Sequence, residues 1–356
     1  MTVQRPQGRS LDESQTLLTK WLATKLPDAT DLTVSNLSNP SATGFSSDTL
    51  LFDLTWKERG VAHSEGLVVR TEPRGTTVFP EYEIAKQYRV MDILRPAGIP
   101  LPRMFWLEED ESILGAPFFV MGRVAGRIPT DSPPYHSGGW VTEISPDERA
   151  AIWWSGLEAM AAIHKLDIAA LGLDFVAMPT KGRTPIERQL NYYRDFLTWA
   201  MDGKTHPTCE PALDWLVENQ PTDEPVGLCW GDSRIGNMIF DQGKCVAVLD
   251  WEMVTLGNPE QDLAWYLFLD RHHSEGINTP RLEGFPSRED TVARYEELTG
   301  RPVQHLRYYE MFAAFCFAVI MIRVGEQLIG AGVFPADSDF ATNNTVTPFL
   351  TRFLAE

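Results

Sequence analysis

The stretch from Leu228 to Glu252, LCWGDSRIGNMIFDQGKCVAVLDWE, constrains this chain most, because it sets two carboxylates and an amide on a strand–turn–strand frame. Asp232 and Asn237 are separated by four residues, and Asp250 follows two short apolar runs, Met238-Ile239-Phe240 and Cys245-Val246-Ala247-Val248-Leu249. The turn signal Asp241-Gln242-Gly243-Lys244 lies between the runs, so the segment reads as a β-hairpin. Such a hairpin brings Asn237, before its first strand, close to Asp250, after its second. Mg²⁺ takes oxygen ligands, keeps several waters and is commonly held by one or two protein groups plus substrate phosphates, so an Asn/Asp pair suits a magnesium–nucleotide. Asp232 is left to orient an attacking hydroxyl or accept its proton. The pattern points to phosphoryl transfer, in which positioning and charge neutralisation supply most of the catalysis.

These residues resemble the aminoglycoside phosphotransferase family, and more closely its subgroup related to the kinase domain of certain acyl-CoA dehydrogenases. Gly231-Asp232-Ser233-Arg234-Ile235-Gly236-Asn237 is similar to the family's catalytic loop, and Leu249-Asp250-Trp251-Glu252 to its metal-binding turn. Thr255-Leu256-Gly257-Asn258-Pro259 and Gln261-Asp262-Leu263-Ala264 continue the match. The resemblance implies that Asp232 is the base, that Asn237 and Asp250 hold magnesium, and that Asp262 braces the catalytic loop. One departure is clear: the family usually has His two residues before the catalytic Asp, and this chain has Trp230.

Composition narrows the partners. The 31 basic and 49 acidic residues give a net charge of −18, which argues against nucleic acid or an anionic membrane surface. With 356 residues and 43% hydrophobic content the chain is long enough for two packed units. Cys209, Cys229, Cys245 and Cys316 show neither C-x-x-C nor zinc spacing. The first ten residues are polar, unlike a signal peptide, and the apolar run 311–322 is shorter than the ~20 residues that span a bilayer. A cytoplasmic protein is expected.

Along the chain, apolar spacing predicts a leading helix over 11–26, then strands at 32–34 and 49–56 around a polar loop, 38–48. On its own that loop, with its one glycine, is a surface turn; the resemblance places it over nucleotide phosphates through Ser41, Gly44 and Phe45. A strand at 66–70 ends on Arg70, which the resemblance assigns to the phosphates, paired with a carboxylate on the next helix, 81–91. Gln87 occupies the family's Glu slot there, and Glu83 is the alternative partner. The strand 117–121 runs into a hinge, where the resemblance puts adenine against Met121 and the backbone of Gly122 and Val124. Ser145-Pro146-Asp147-Glu148 is a strong helix start. Helices are expected over 186–200, 211–217, 259–269, 287–299 and 303–328. The 312–322 segment is apolar all round and should be buried. Arg323 and Glu326 are either cleft residues or an ion pair. His164 reads as structural, and His272-His273, taken as extended, as a poor chelate.

The expected fold is protein-kinase-like α+β, with an N-terminal lobe over 1–122 built on a small antiparallel sheet and a larger helical lobe over 123–356. The expected function is phosphorylation of a hydroxyl on a small molecule, with ATP (GTP not excluded) and Mg²⁺ as cofactors. Asp232 and Arg234 are the catalytic pair, Arg234 neutralising the moving phosphoryl group. The alternative is a catalytically silent nucleotide-binding protein.

Overall fold

Ser10 opens the first helix, α1 (Leu11–Lys25), by accepting a hydrogen bond from the Glu13 amide at 3.2 Å, which satisfies an orphan donor of the first turn. Leu18, Trp21 and Leu22 recur at helical spacing and are buried, each worth about 1.5–3 kcal/mol. They pack in one core with the inner faces of β1 (Ala29–Val34), β2 (Asp48–Glu58) and β3 (Val61–Thr71). Next come α2 (Ile84–Leu94), β4 (Met104–Glu108), the short α3 (Glu111–Leu114) and β5 (Phe118–Gly122). The sheet has five antiparallel strands in the order β1-β2-β3-β5-β4. Asp110 opens α3 by accepting a hydrogen bond from the Ser112 amide at 2.8 Å.

The structure, a computed structural model, describes residues 10–39, 48–73 and 77–356. It divides into two compact units, one of Met1–Arg95 and Pro102–Val124, the other of Pro96–Leu101 and Ala125–Glu356. The break falls after Val124 rather than at 122, and 96–101 joins the second unit because Pro100 accepts a backbone hydrogen bond from Val248.

The second unit is mostly helical. The capping box of Ser145 and Glu148 starts α4 (Pro146–His164), followed by α5 (Pro185–Ala200) and α6 (Cys209–Glu218). Then come β6 (Gly227–Cys229), β7 (Met238–Asp241), β8 (Lys244–Val248) and β9 (Thr255–Gly257), with β6 paired to β9 and β7 to β8, both antiparallel. The remaining helices are α7 (Glu260–His272), α8 (Arg288–Thr299), α9 (Leu306–Gly330) and α10 (Thr347–Ala355). Length and composition alone would let α9 cross a membrane, yet most of its apolar window is buried inside this unit. It packs on α5, α6, α7 and α10.

Candidate functional site

The expected hairpin forms, and it does what the sequence requires of it. Gln242 and Gly243 both adopt positive φ, the two-residue turn whose twist matches the flanking strands. Met238 pairs with Val248, and the Leu249 amide donates to the Asn237 carbonyl at 2.8 Å, so the residues leading into and out of the hairpin are tied together. Asp250 follows with φ +59°, left-handed backbone that costs a non-glycine residue roughly 1 kcal/mol. A strained residue held beside a hairpin end is a turn fixed by its surroundings rather than by its own preference.

Asp232 sits among donors. Its carboxylate accepts from Asn237 Nδ2 at 2.6 Å, from Trp265 Nε1 at 2.8 Å and from Arg234 Nε at 3.1 and 3.2 Å. Burial pushes the Asp232 carboxyl up from its ordinary value and Asp250 adds to the rise, while Arg234 works against both. Arg234 is raised: burial disfavours its charge, but Asp131 and Asp232 outweigh that. Arg234 Nη1 lies 2.6 Å from each oxygen of Asp131, so the guanidinium bridges two carboxylates.

The loop is braced from below. Asp262, fully buried on α7, accepts from the Trp230 amide at 2.6 Å, the Gly231 amide at 2.9 Å and His164 Nε2 at 2.9 Å. Ser233 Oγ donates to the Asp262 carbonyl at 2.7 Å, which makes it scaffolding. His164 Nδ1 meets Tyr295 Oη at 2.7 Å, a buried structural arrangement. Gly231 has φ +97°, and a Cβ there would strike the Met253 carbonyl. Trp230, the departure from the family pattern, is fully buried, and its indole N–H donates to Leu249 O at 2.8 Å and Asp250 O at 3.2 Å. It therefore ties the catalytic loop to the turn that carries Asp250.

Asn237 and Asp250 are the residues expected to hold magnesium. Asn237 uses its amide N–H on Asp232, which leaves Oδ1 as a hard oxygen with no hydrogen bond among the described residues. That fits an open site completed by phosphates and water. No group of three His, Cys, Asp or Glu side chains among the described residues forms a metal cage.

Two residues here escaped the sequence reading. Trp265 lies three positions after Asp262 on one helix face, a spacing that could have revealed it. Asp131 lies in an irregular loop, with no local signal. In the first unit, Arg70 is on β3 opposite Thr49 and Phe119. Glu83 precedes α2, which starts at Ile84 rather than 81, and pairs with Lys86 at 2.7 Å. Met121 pairs with Val68, and the Gly122 amide already donates to Arg103 O at 2.8 Å. Ser41, Gly44 and Phe45 lie outside the described residues. In the second unit, Arg323 pairs with Glu326 and stacks over Trp199 at 4.3 Å. His272 and His273 end a helix instead of sitting in an extended segment.

Residues 44–298 match the profile of the phosphotransferase enzyme family. The chain belongs to that family. Two curated relatives are acyl-CoA dehydrogenase family member 11 of Rattus norvegicus, 30% identical over 80% of this chain and 36% of its own length, and member 10 of Mus musculus, 31% identical over 72% and 24%. The chain spans about a third of the length of the first curated relatives it matches. A crystal structure from Ralstonia eutropha JMP134, assigned as an aminoglycoside phosphotransferase, is 25% identical, with a TM-score of 0.68 over 96% of this chain and 98% of that one. The ternary complex of aminoglycoside phosphotransferase APH(4)-Ia with ADP and hygromycin B has a TM-score of 0.53 at 18% identity, covering 95% and 99%, which shows the fold alone. Family membership and the protein-kinase-like α+β fold are thus as expected.

Proposed function

We propose that this phosphotransferase moves the γ-phosphoryl group of MgATP to a hydroxyl of a small molecule. The observation that carries the reading is the single cluster of Asp232, Asn237 and Asp250, built across one catalytic loop and one hairpin. Asp232 orients the acceptor hydroxyl and takes its proton. Asn237, through Oδ1, and Asp250 hold magnesium, which when bound neutralises phosphate charge. Arg234 stands beside Asp232 as the cation for the developing charge. In the first unit, Arg70 contacts phosphates, and Met121 with the Val124 backbone meets the base; Gly122 is less suited, its amide being bonded to Arg103. Ser41, Gly44 and Phe45 complete the phosphate loop in this reading. Four free cysteines accord with a reducing cytoplasm.

The relatives' names suggest two acceptors to try: an acyl-CoA thioester that carries a hydroxyl, since one set is named for acyl-CoA dehydrogenases, and an aminoglycoside such as hygromycin B. A silent nucleotide-binding protein is the competing reading, and it draws support from Asp232 itself, whose oxygens are already surrounded by donors. The test is ADP release from MgATP against hygromycin B, choline, glucose and a hydroxyacyl-CoA. Stimulation by one of them supports transfer. MgATP binding with no stimulation by any supports the silent reading.

A further inference from the structure

The two oxygens of Asp232 offer about four acceptor positions, and protein donors crowd them. Oδ1 takes Trp265 Nε1 at 2.8 Å and Arg234 Nε at 3.1 Å; Oδ2 takes Asn237 Nδ2 at 2.6 Å and the same Nε at 3.2 Å. An acceptor hydroxyl must displace one of them. Trp265 and Asn237 make short bonds to a single oxygen, whereas the Arg234 contact is long and split between two, so it is the weakest.

The guanidinium has a second carboxylate at hand. Arg234 Nη1 lies 2.6 Å from both oxygens of Asp131. The backbone makes room for this pair: a Cβ on Gly236 would run into Arg234 Nη1 and Asp131 Oδ1. Asp131 is 43% exposed and Asp232 16%; burial pushes the Asp131 carboxyl up, but Arg234 and then His273 hold it below its ordinary value, whereas Asp232 stays above its own, so Asp131 is the more fully charged competitor for the guanidinium. Its loop is anchored elsewhere, by Tyr135 Oη and His136 Nε2, each 2.8 Å from Asp270 Oδ1.

We propose that Asp131 is a positioning residue: it draws the Arg234 guanidinium off Asp232, so that Asp232 can take the hydrogen bond of the acceptor hydroxyl. The inference rests on the phosphotransfer reading, and it removes the main support of the silent one. A neutral side chain at 131 competes poorly for the guanidinium, so Arg234 stays on Asp232 and blocks the hydroxyl. Asp131→Asn should lower kcat about 10- to 100-fold, a sizeable part of what a positioned base contributes. The KM for MgATP and Tm should stay largely unchanged, because Asp131 is 43% exposed and the less exposed Arg234 keeps Asp232 as a charged partner in the variant. Asp131→Glu, which keeps the charge, should recover most of the rate.

The experiment is steady-state kinetics of the full chain and these two variants with the acceptor found in the panel, beside a crystal structure of Asp131→Ala, which needs no turnover. That structure should show Arg234 turned onto Asp232 with both Nε and an Nη. An active wild type with unchanged kcat in Asp131→Asn, a parallel fall in Tm, or no recovery in Asp131→Glu overturns the positioning role and leaves phosphotransfer standing. A wild type that binds no MgATP overturns phosphotransfer instead, and Arg234 unmoved in Asp131→Ala still shows that Asp131 does not draw it away.

Discussion

Replacing Trp230 by Phe tests whether the indole is a working substitute for the family's histidine. The change deletes the N–H that bonds to Leu249 O at 2.8 Å and Asp250 O at 3.2 Å. Leaving a buried carbonyl without its donor costs about 1–3 kcal/mol. Trp230 is fully buried and packs against Trp251 at a ring separation of 6.2 Å, so the smaller ring leaves a void worth roughly 1–2 kcal/mol more. The sum, about 2–5 kcal/mol, corresponds to a fall in Tm of roughly 5–15 °C for a unit of this size. The left-handed Asp250 should also relax, weakening the nucleotide's stabilising effect, which follows from affinity by linkage. The assay is thermal denaturation of wild type, Trp230→Phe and Trp230→His, each with and without MgATP. Histidine can restore a donor and should recover part of both losses. A Trp230→Phe variant that melts within about 2 °C of wild type, or Phe and His variants that behave alike, would rule out this role for the indole.

Other consequences follow from the same geometry. Asp262→Asn puts an amide among three donors to a fully buried carboxylate, and urea denaturation should show a loss of about 3–5 kcal/mol; a loss below about 1 kcal/mol would contradict the bracing role. Burial lowers His272 to about 3 and His273 to about 4, from 6.5. The unfolded chain takes up protons near pH 6.5 that the folded chain refuses until about pH 4, so stability should fall as pH drops through that window, by about 1–2 kcal/mol per histidine at pH 5. Tm measured from pH 7 to 5 should show it, and His272→Gln should flatten the slope. Asn237→Ala removes one oxygen of the proposed magnesium site but also a donor to Asp232, so calorimetry should find MgATP binding weakened at least about tenfold, with kcat lowered as well.

Much of this site was legible because its information is local. The turn at Gln242-Gly243 fixes the hairpin, the hairpin fixes the approach of Asn237 to Leu249, and Asp262 reaches the loop from the first turn of α7. Helices with strong caps, such as the one opened by Ser145, were equally clear. Asp131 was not, since it meets Arg234 across 103 positions of chain and carries no periodic or cap signal. The strand starts at Ala29 and Val61 were missed because those first residues are mostly exposed and lack a sustained alternation of apolar and polar residues to mark them. His272-His273 looked extended because the pattern of α7, buried on nearly every face, has no amphipathic rhythm to show where it ends.

Asp232 is proposed to serve transfer of phosphate to a hydroxyl. The most direct measurement is single-turnover transfer of labelled γ-phosphate from MgATP to the panel acceptor, in wild type and Asp232→Asn, with MgATP affinity measured in parallel. Labelled acceptor is expected in wild type, and in Asp232→Asn a rate on the order of 100-fold lower or less with MgATP binding largely kept. Label transferred equally well by both proteins, or bound MgATP that delivers label to no hydroxyl, would contradict it.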